Sequence, residues 1–152
     1  MINTEVIVEN SKWKKKIRNI EFFFSNIIKN FPKKYRFKKK KVLLSLLLSS
    51  NYKIKILNKK FRNKNKPTDV LSFPINKSFS KNQIYLGDII ISYEYMNQPK
   101  KIEDLEFKKK VAKIFIHGFL HLVGHDHIKN KDYKKMKKEE IKIYNLIEKK
   151  IA

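Results

Sequence analysis

Val111-Ala-Lys-Ile-Phe-Ile-His117-Gly118-Phe-Leu-His121-Leu-Val-Gly124-His125-Asp126-His127 holds all four histidines of the chain, packed into its last eleven residues. Histidines scattered for surface or core duty do not cluster in this way. Val111, Ala112, Phe115, Phe119 and Leu122 recur at steps of three and four, which predicts a helix with one face in the core. His117 and His121 stand beside that stripe. Four residues apart on a helix, they lie one turn above each other and aim their imidazoles at one point about 6 Å along the axis. Gly124 ends the helix and turns the chain, and the turn returns His127 as a third nitrogen. The spacing H-x3-H-x5-H thus builds a three-histidine site with its fourth tetrahedral position open. A catalytic metal centre is expected, with one zinc ion (Zn2+) per monomer.

The frame matches the metzincin pattern H-E-x-x-H-x-x-G-x-x-H at its three histidines and its glycine. One position differs: Gly118 stands where that pattern has the glutamate that serves peptide hydrolysis as general base. The metal frame is kept and protease chemistry is disfavoured. A structural zinc site and ordinary core histidines are the alternatives. Closed structural sites usually recruit cysteine, and the chain has none.

The chain of 152 residues is long enough to bury a core of its own, so 1–152 is expected to form a single domain. Residues 1–10 include Glu5 and Glu9 and lack a basic segment leading into an apolar one, so no signal peptide is expected. Val42 to Leu48 is the most apolar run and far too short to span a bilayer. A cytoplasmic protein without membrane association is expected. The absence of cysteine fits a reducing compartment.

Formal net charge is +23, from 37 Lys and Arg against 14 Asp and Glu, which favours a polyanionic partner such as nucleic acid. Codon drift is the competing source of that charge, because Lys, Asn, Ile and Phe crowd the chain. Arginine survives only at Arg18, Arg36 and Arg62, so an arginine inside a motif is a candidate for work lysine cannot do.

Thr4 to Glu9 and Val42 to Ser49 read as strands. Between them Trp13, Ile17, Ile20, Phe24, Ile27, Ile28 and Phe31 predict one helix, ended at Pro32. Asn51 to Phe61 predicts a second helix, followed by a polar segment, Arg62 to Lys66, and a turn at Pro67. Val70 to Phe73 and Ile84 to Ser92 read as two further strands, joined by a loop from Asn76 to Gln83, with Gly87 and Asp88 interrupting the second. The metal helix opens near Ile102 to Asp104 and buries Leu105 with its later stripe. A last helix, Asp132 to Ile151, turns Tyr133, Met136, Tyr144, Ile147 and Ile151 inward. The expected fold is α+β (α/β layered): a small mixed four-stranded sheet packed with about five helices, one of them a zincin-like metal helix.

Three motifs in order, Leu57-Asn-Lys-Lys-Phe-Arg62-Asn-Lys-Asn-Lys-Pro67-Thr-Asp-Val-Leu-Ser-Phe-Pro74, then Leu86-Gly-Asp88, then the histidine run, resemble the YbeY endoribonuclease family. The resemblance covers the middle and C-terminal portions of the chain. It implies a metal-dependent endoribonuclease specific for single-stranded RNA, linked to 16S rRNA 3′-end maturation and 70S ribosome quality control. Its partners would be ribosomal RNA and the ribosome or small subunit, with no small-molecule cofactor beyond the metal. The resemblance also implies that His117, His121 and His127 are the zinc ligands and that Arg62 serves catalysis or substrate binding, so the catalytic set is Arg62, His117 and His121. His125 stands where the family often has tyrosine, and its role is open.

Chemistry supports the same reading. Three neutral imidazoles leave zinc its full positive charge, and a planar guanidinium grips two phosphoryl oxygens where lysine offers a point charge. Thr68, Asp69 and Ser72 are expected to cap backbone groups around the pocket. Asp88 and Asp126 are candidates to hydrogen-bond a ligand imidazole. The rival functions are a zincin-type metallopeptidase and a non-catalytic ribosome assembly factor with structural zinc.

Overall fold

The computed structural model describes residues 2–37 and 39–151. Strands β1 (Ile2–Val8), β2 (Lys41–Ser49), β3 (Val70–Ser80) and β4 (Gln83–Ser92) form one sheet in the order β1-β2-β4-β3. β1 and β2 run parallel, as do β2 and β4, and β3 pairs antiparallel with β4. The helices are α1 (Lys12–Lys16), α2 (Ile20–Lys29), α3 (Asn51–Arg62), α4 (Tyr93–Met96), α5 (Asp104–Leu122) and α6 (Asn130–Ile147). An α+β fold with a mixed four-stranded sheet is what the patterning predicted.

β2 divides the molecule into two layers because successive side chains point to opposite faces. Val42, Leu44, Leu46 and Leu48 enter the main core with α1, α2, α5 and α6, whose largest buried residues include Trp13, Phe24, Phe107, Phe115 and Phe119. Leu47 faces the other way and packs with Leu71, Phe73 and Ile90 beneath Ile54 and Leu57 of α3. α5 is therefore held against the sheet on the main-core side, and α3 covers only part of the opposite face.

Several local expectations needed correction. The single helix expected before β2 is two helices, because Asn19 restarts the chain by accepting the Phe22 N–H at 3.1 Å. Every residue of the expected stripe is still buried. The expected loop from Asn76 to Gln83 is mostly strand: Lys77 pairs with Tyr85 and Ser80 with Gln83, leaving a tight turn at Lys81 and Asn82. Polar residues do not prevent pairing on a face that meets solvent. Gly87 does not end β4 either. Leu43 pairs with Tyr85 and Leu44 with Gly87, so Leu86 is an extra residue in a bulge. Gly87 has φ +148°, and a Cβ there would stand 2.2 Å from the Phe73 carbonyl oxygen.

Leu105 and Tyr133 were expected inside but are 43% and 51% exposed. Both lie in the first turn of their helices. Phe107 takes the place expected of Leu105, meeting Trp13 and Tyr93 at ring-centroid distances of 5.7 and 5.6 Å. The last helix ends at Ile147 and a short 3-10 turn follows it, with Ile151 buried.

Candidate metal centre

His117 and His121 project from the last turns of α5, half-buried, with their Nε2 atoms 3.2 Å apart. The helix then closes in a Schellman motif: Gly124 N–H donates to the His121 carbonyl at 3.1 Å and His125 N–H to the Leu120 carbonyl at 2.9 Å. Gly124 adopts φ +101°, the left-handed conformation this closure needs. Asp126 Oδ1 then accepts the N–H groups of His127 at 2.6 Å and Ile128 at 3.0 Å. This turn folds the chain back, so that the His127 ring lies 5.6 Å from that of His117 and 4.9 Å from that of His121. The ligand nitrogens of His117, His121 and His127 all lie within 4.8 Å of one another.

The tautomers of the two helical histidines follow from their partners. His117 Nδ1 donates to Glu140 Oε1 of α6 at 2.5 Å, and His121 Nδ1 donates to the His125 carbonyl oxygen at 3.0 Å. With Nδ1 protonated on both rings, each Nε2 presents a lone pair to the other. Between neutral rings such a pair at 3.2 Å repels, and either a metal ion or a proton shared as N–H···N relieves the repulsion. Metal–nitrogen bonds of about 2.0–2.1 Å in tetrahedral geometry separate ligand nitrogens by roughly 3.3 Å, so the His117–His121 pair has the spacing of two zinc ligands, and three imidazoles are donors that zinc accepts. Burial, and then the neighbouring His117, hold the His121 pKa below the usual histidine value, which favours the neutral ligand form.

The other candidates take distinct places. His125 contributes its backbone carbonyl, and its ring is not in the cluster. Asp126 binds backbone N–H groups, while Asp88 accepts from the Tyr85 hydroxyl on the far face of the sheet. The carboxylate at a ligand imidazole is instead Glu140, which the sequence reading missed. A signal for it existed: Glu140 continues the buried stripe of Met136, Ile143 and Ile147, where a charge is out of place. Asp69 accepts the Val70 N–H at 2.8 Å, a capping role like the one expected. Ser72 donates to the Gly118 carbonyl at 3.1 Å, and its own carbonyl accepts from Arg62 Nη2 at 3.0 Å. Arg62 is exposed at the C-terminal end of α3, its guanidinium carbon 5.8 Å from the Phe73 ring centroid. One residue of β3 therefore links the arginine to the histidine helix.

The family described as Endoribonuclease YbeY matches residues 7–148. The chain belongs to the YbeY family. An Endoribonuclease YbeY of Pelagibacter ubique (strain HTCC1062) is 63% identical over 153 residues, covering 100% of both chains. Another YbeY, from Buchnera aphidicola subsp. Acyrthosiphon pisum (strain APS), is 38% identical over 84% of this chain and 88% of its own. A solution structure of a Thermotoga maritima protein superposes with a TM-score of 0.53 at 27% identity, over 97% of this chain and 89% of that one.

Glu140 makes the YbeY histidine frame sensitive to a residue outside it. Carboxylates that orient ligand histidines typically contribute 10- to 100-fold in metal affinity, so Glu140→Gln is expected to weaken metal binding by about that factor. The fold should be retained. Competition with a chromophoric chelator reads the affinity, and an unchanged value would remove Glu140 from the site.

Gly118 has a packing reason that sequence did not show. It faces the sheet, and a Cβ there would stand 3.0 Å from both Ile89 Cγ2 and Ser72 Oγ. Gly118→Glu would force a carboxylate into this contact instead of presenting a base to the metal. Overpacking and burial of a charge should destabilise the fold by about 3 kcal/mol or more. Denaturant titration measures it, and wild-type stability would mean that the helix rides away from the sheet easily.

Proposed function

We propose that the chain is a zinc-dependent endoribonuclease that cleaves single-stranded RNA, acting as one domain of residues 1–152 with one zinc per monomer. The observation that carries this reading is the pair of Nε2 lone pairs held face to face by Glu140 and the His125 carbonyl, with His127 beside them. Family membership directs that chemistry to RNA. A zinc ion held there supplies Lewis acidity at a phosphoryl oxygen and acidifies water.

The residues of the chain set the rest. Glu140 and His125 keep the imidazoles in one tautomer and orientation, so the ligand nitrogens need no rearrangement. Arg62 spends one of five N–H donors on the Ser72 carbonyl, and its remaining donors suit phosphoryl oxygens on which negative charge builds. His117, His121 and Arg62 form the proposed catalytic set. By family membership the proposed setting is the cytoplasm, in 16S rRNA 3′-end maturation and 70S ribosome quality control, with ribosomal RNA and the small subunit as partners. Among the described residues no helix is long and apolar enough to cross a membrane.

A zincin-type peptidase is disfavoured because position 118 faces the sheet. Incubating the purified chain with unstructured RNA, duplex RNA and casein tests the proposal. Cleavage of the unstructured RNA alone, lost on chelation and restored by zinc, is expected. Casein cleavage would favour the peptidase; zinc-loaded protein that binds RNA without cutting it would favour the assembly factor.

The charge of +23 is proposed to add affinity that does not depend on sequence. RNA affinity should then fall steeply with salt through counterion release, with a slope of about −0.7 per phosphate neutralised on a single strand. A flat plot of log affinity against log salt would assign the charge to codon drift.

A further inference from the structure

On the α3 side of the sheet aromatic rings lie in two pairs: Phe61 of α3 with Phe73 of β3 at the end of the helix, and Phe79 of β3 with Tyr85 of β4 beyond it. Phe61 meets Phe73 at a centroid distance of 5.3 Å and an interplanar angle of 61°, and Phe79 meets Tyr85 at 6.4 Å and 64°. Phe73 pairs with Asp88 and Lys77 with Tyr85 across the ladder, and the Tyr85 hydroxyl donates to Asp88, so the two pairs share one face. Phe61 and Phe79 are each 58% exposed. Large apolar rings left this open mark interaction surfaces when they cluster.

Each exposed pair also carries a cation. Lys60 Nζ lies 5.2 Å from the Phe61 centroid, Arg62 Cζ 5.8 Å from that of Phe73, and Lys77 Nζ 5.6 Å from that of Phe79. Aromatic platforms edged with lysine and arginine suit unpaired bases on a phosphate backbone, because every base has a π-face and every link has a charge. The bases of a duplex are already stacked on one another and offer no such faces. Glu5 lies on β1 at the far side of the same face, where it repels phosphate, while Asp88 of β4 stands between Phe73 and Tyr85 and accepts from the Tyr85 hydroxyl. With Lys60, Arg62 and Lys77 at the rings and Glu5 on the opposite edge strand, the phosphate backbone is directed along the outer side of β3, away from Asp88. At that edge Ser72 joins Arg62 to the histidine helix.

We propose that the face formed by Phe61, Phe73, Phe79 and Tyr85 stacks the bases of single-stranded RNA and leads the strand over the β3 edge to the histidine cluster. The proposal rests on the endoribonuclease reading and accounts for a preference for single strands by stacking.

The test uses the zinc-loaded full chain, with Phe61 and Phe79 both replaced by alanine and, separately, by tryptophan. Fluorescence anisotropy, read before cleavage sets in, compares a labelled single-stranded RNA, an abasic strand of the same length and a duplex. Wild type and the tryptophan variant should prefer the base-bearing strand over the abasic one by about tenfold or more, and the alanine variant should lose that preference. Melting curves confirm that the variants fold. A preference retained by the alanine variant, or absent in wild type, overturns the proposal. RNA cleavage by wild type is scored separately, so a failed nuclease assignment is told apart from a failed binding face.

Discussion

His121→Ala is expected to abolish stoichiometric zinc and RNA cleavage with it, while His125→Ala is expected to keep both. The two residues are four apart and equally histidine, so composition does not separate them. His121 supplies a ring nitrogen 3.2 Å from that of His117, whereas His125 supplies the backbone carbonyl that holds the His121 ring. Alanine at position 125 retains that carbonyl. Alanine at position 121 leaves two imidazoles, too few for the three-ligand frame of a catalytic zinc site. It is also the best helix former, so α5 should persist. Elemental analysis of the purified variants, with circular dichroism as the folding control, decides the matter. Equal zinc loss in both variants would show that the ring of His125 is a ligand.

Arg62→Lys, which preserves charge, should slow single-turnover cleavage by on the order of 10² to 10³, or about 2 to 4 kcal/mol of transition-state stabilisation. The planar fork donates to the Ser72 carbonyl and has further donors for a phosphate at the same time. A lysine ammonium is a point charge that satisfies the carbonyl or the phosphate but does not clamp two oxygens. Zinc content and melting temperature should be unchanged, because Arg62 is exposed and no ligand depends on it. Cleavage is measured on a labelled single-stranded RNA at equal zinc occupancy. Wild-type rates in the zinc-loaded lysine variant would return Arg62 to the role of a surface residue that tethers α3 to β3.

Relations along one element were legible in the sequence. His117 and His121 share a helix face because they are four apart, and Gly124 marks the turn that returns His127; Asp126, expected at a ligand imidazole, accepts backbone N–H groups in that turn instead. The apolar run of β2 and the stripe of α5 likewise placed the core, and with it the α+β layering. Periodicity failed where a local hydrogen bond or a pairing partner overrode it. Asn19 split one expected helix, and the pairing of Lys77 with Tyr85 drew an expected loop into β3.

The sequence by itself determined the three candidate ligands and the layer architecture, since both rest on spacings within single elements. Tertiary structure alone decided that Glu140, 23 residues from His117, orients its ring, that position 118 faces the sheet, and that Ser72 joins Arg62 to the histidine helix. The physical reason is that a helix or strand period specifies which residues share a face, while the element that face meets depends on how the whole chain packs.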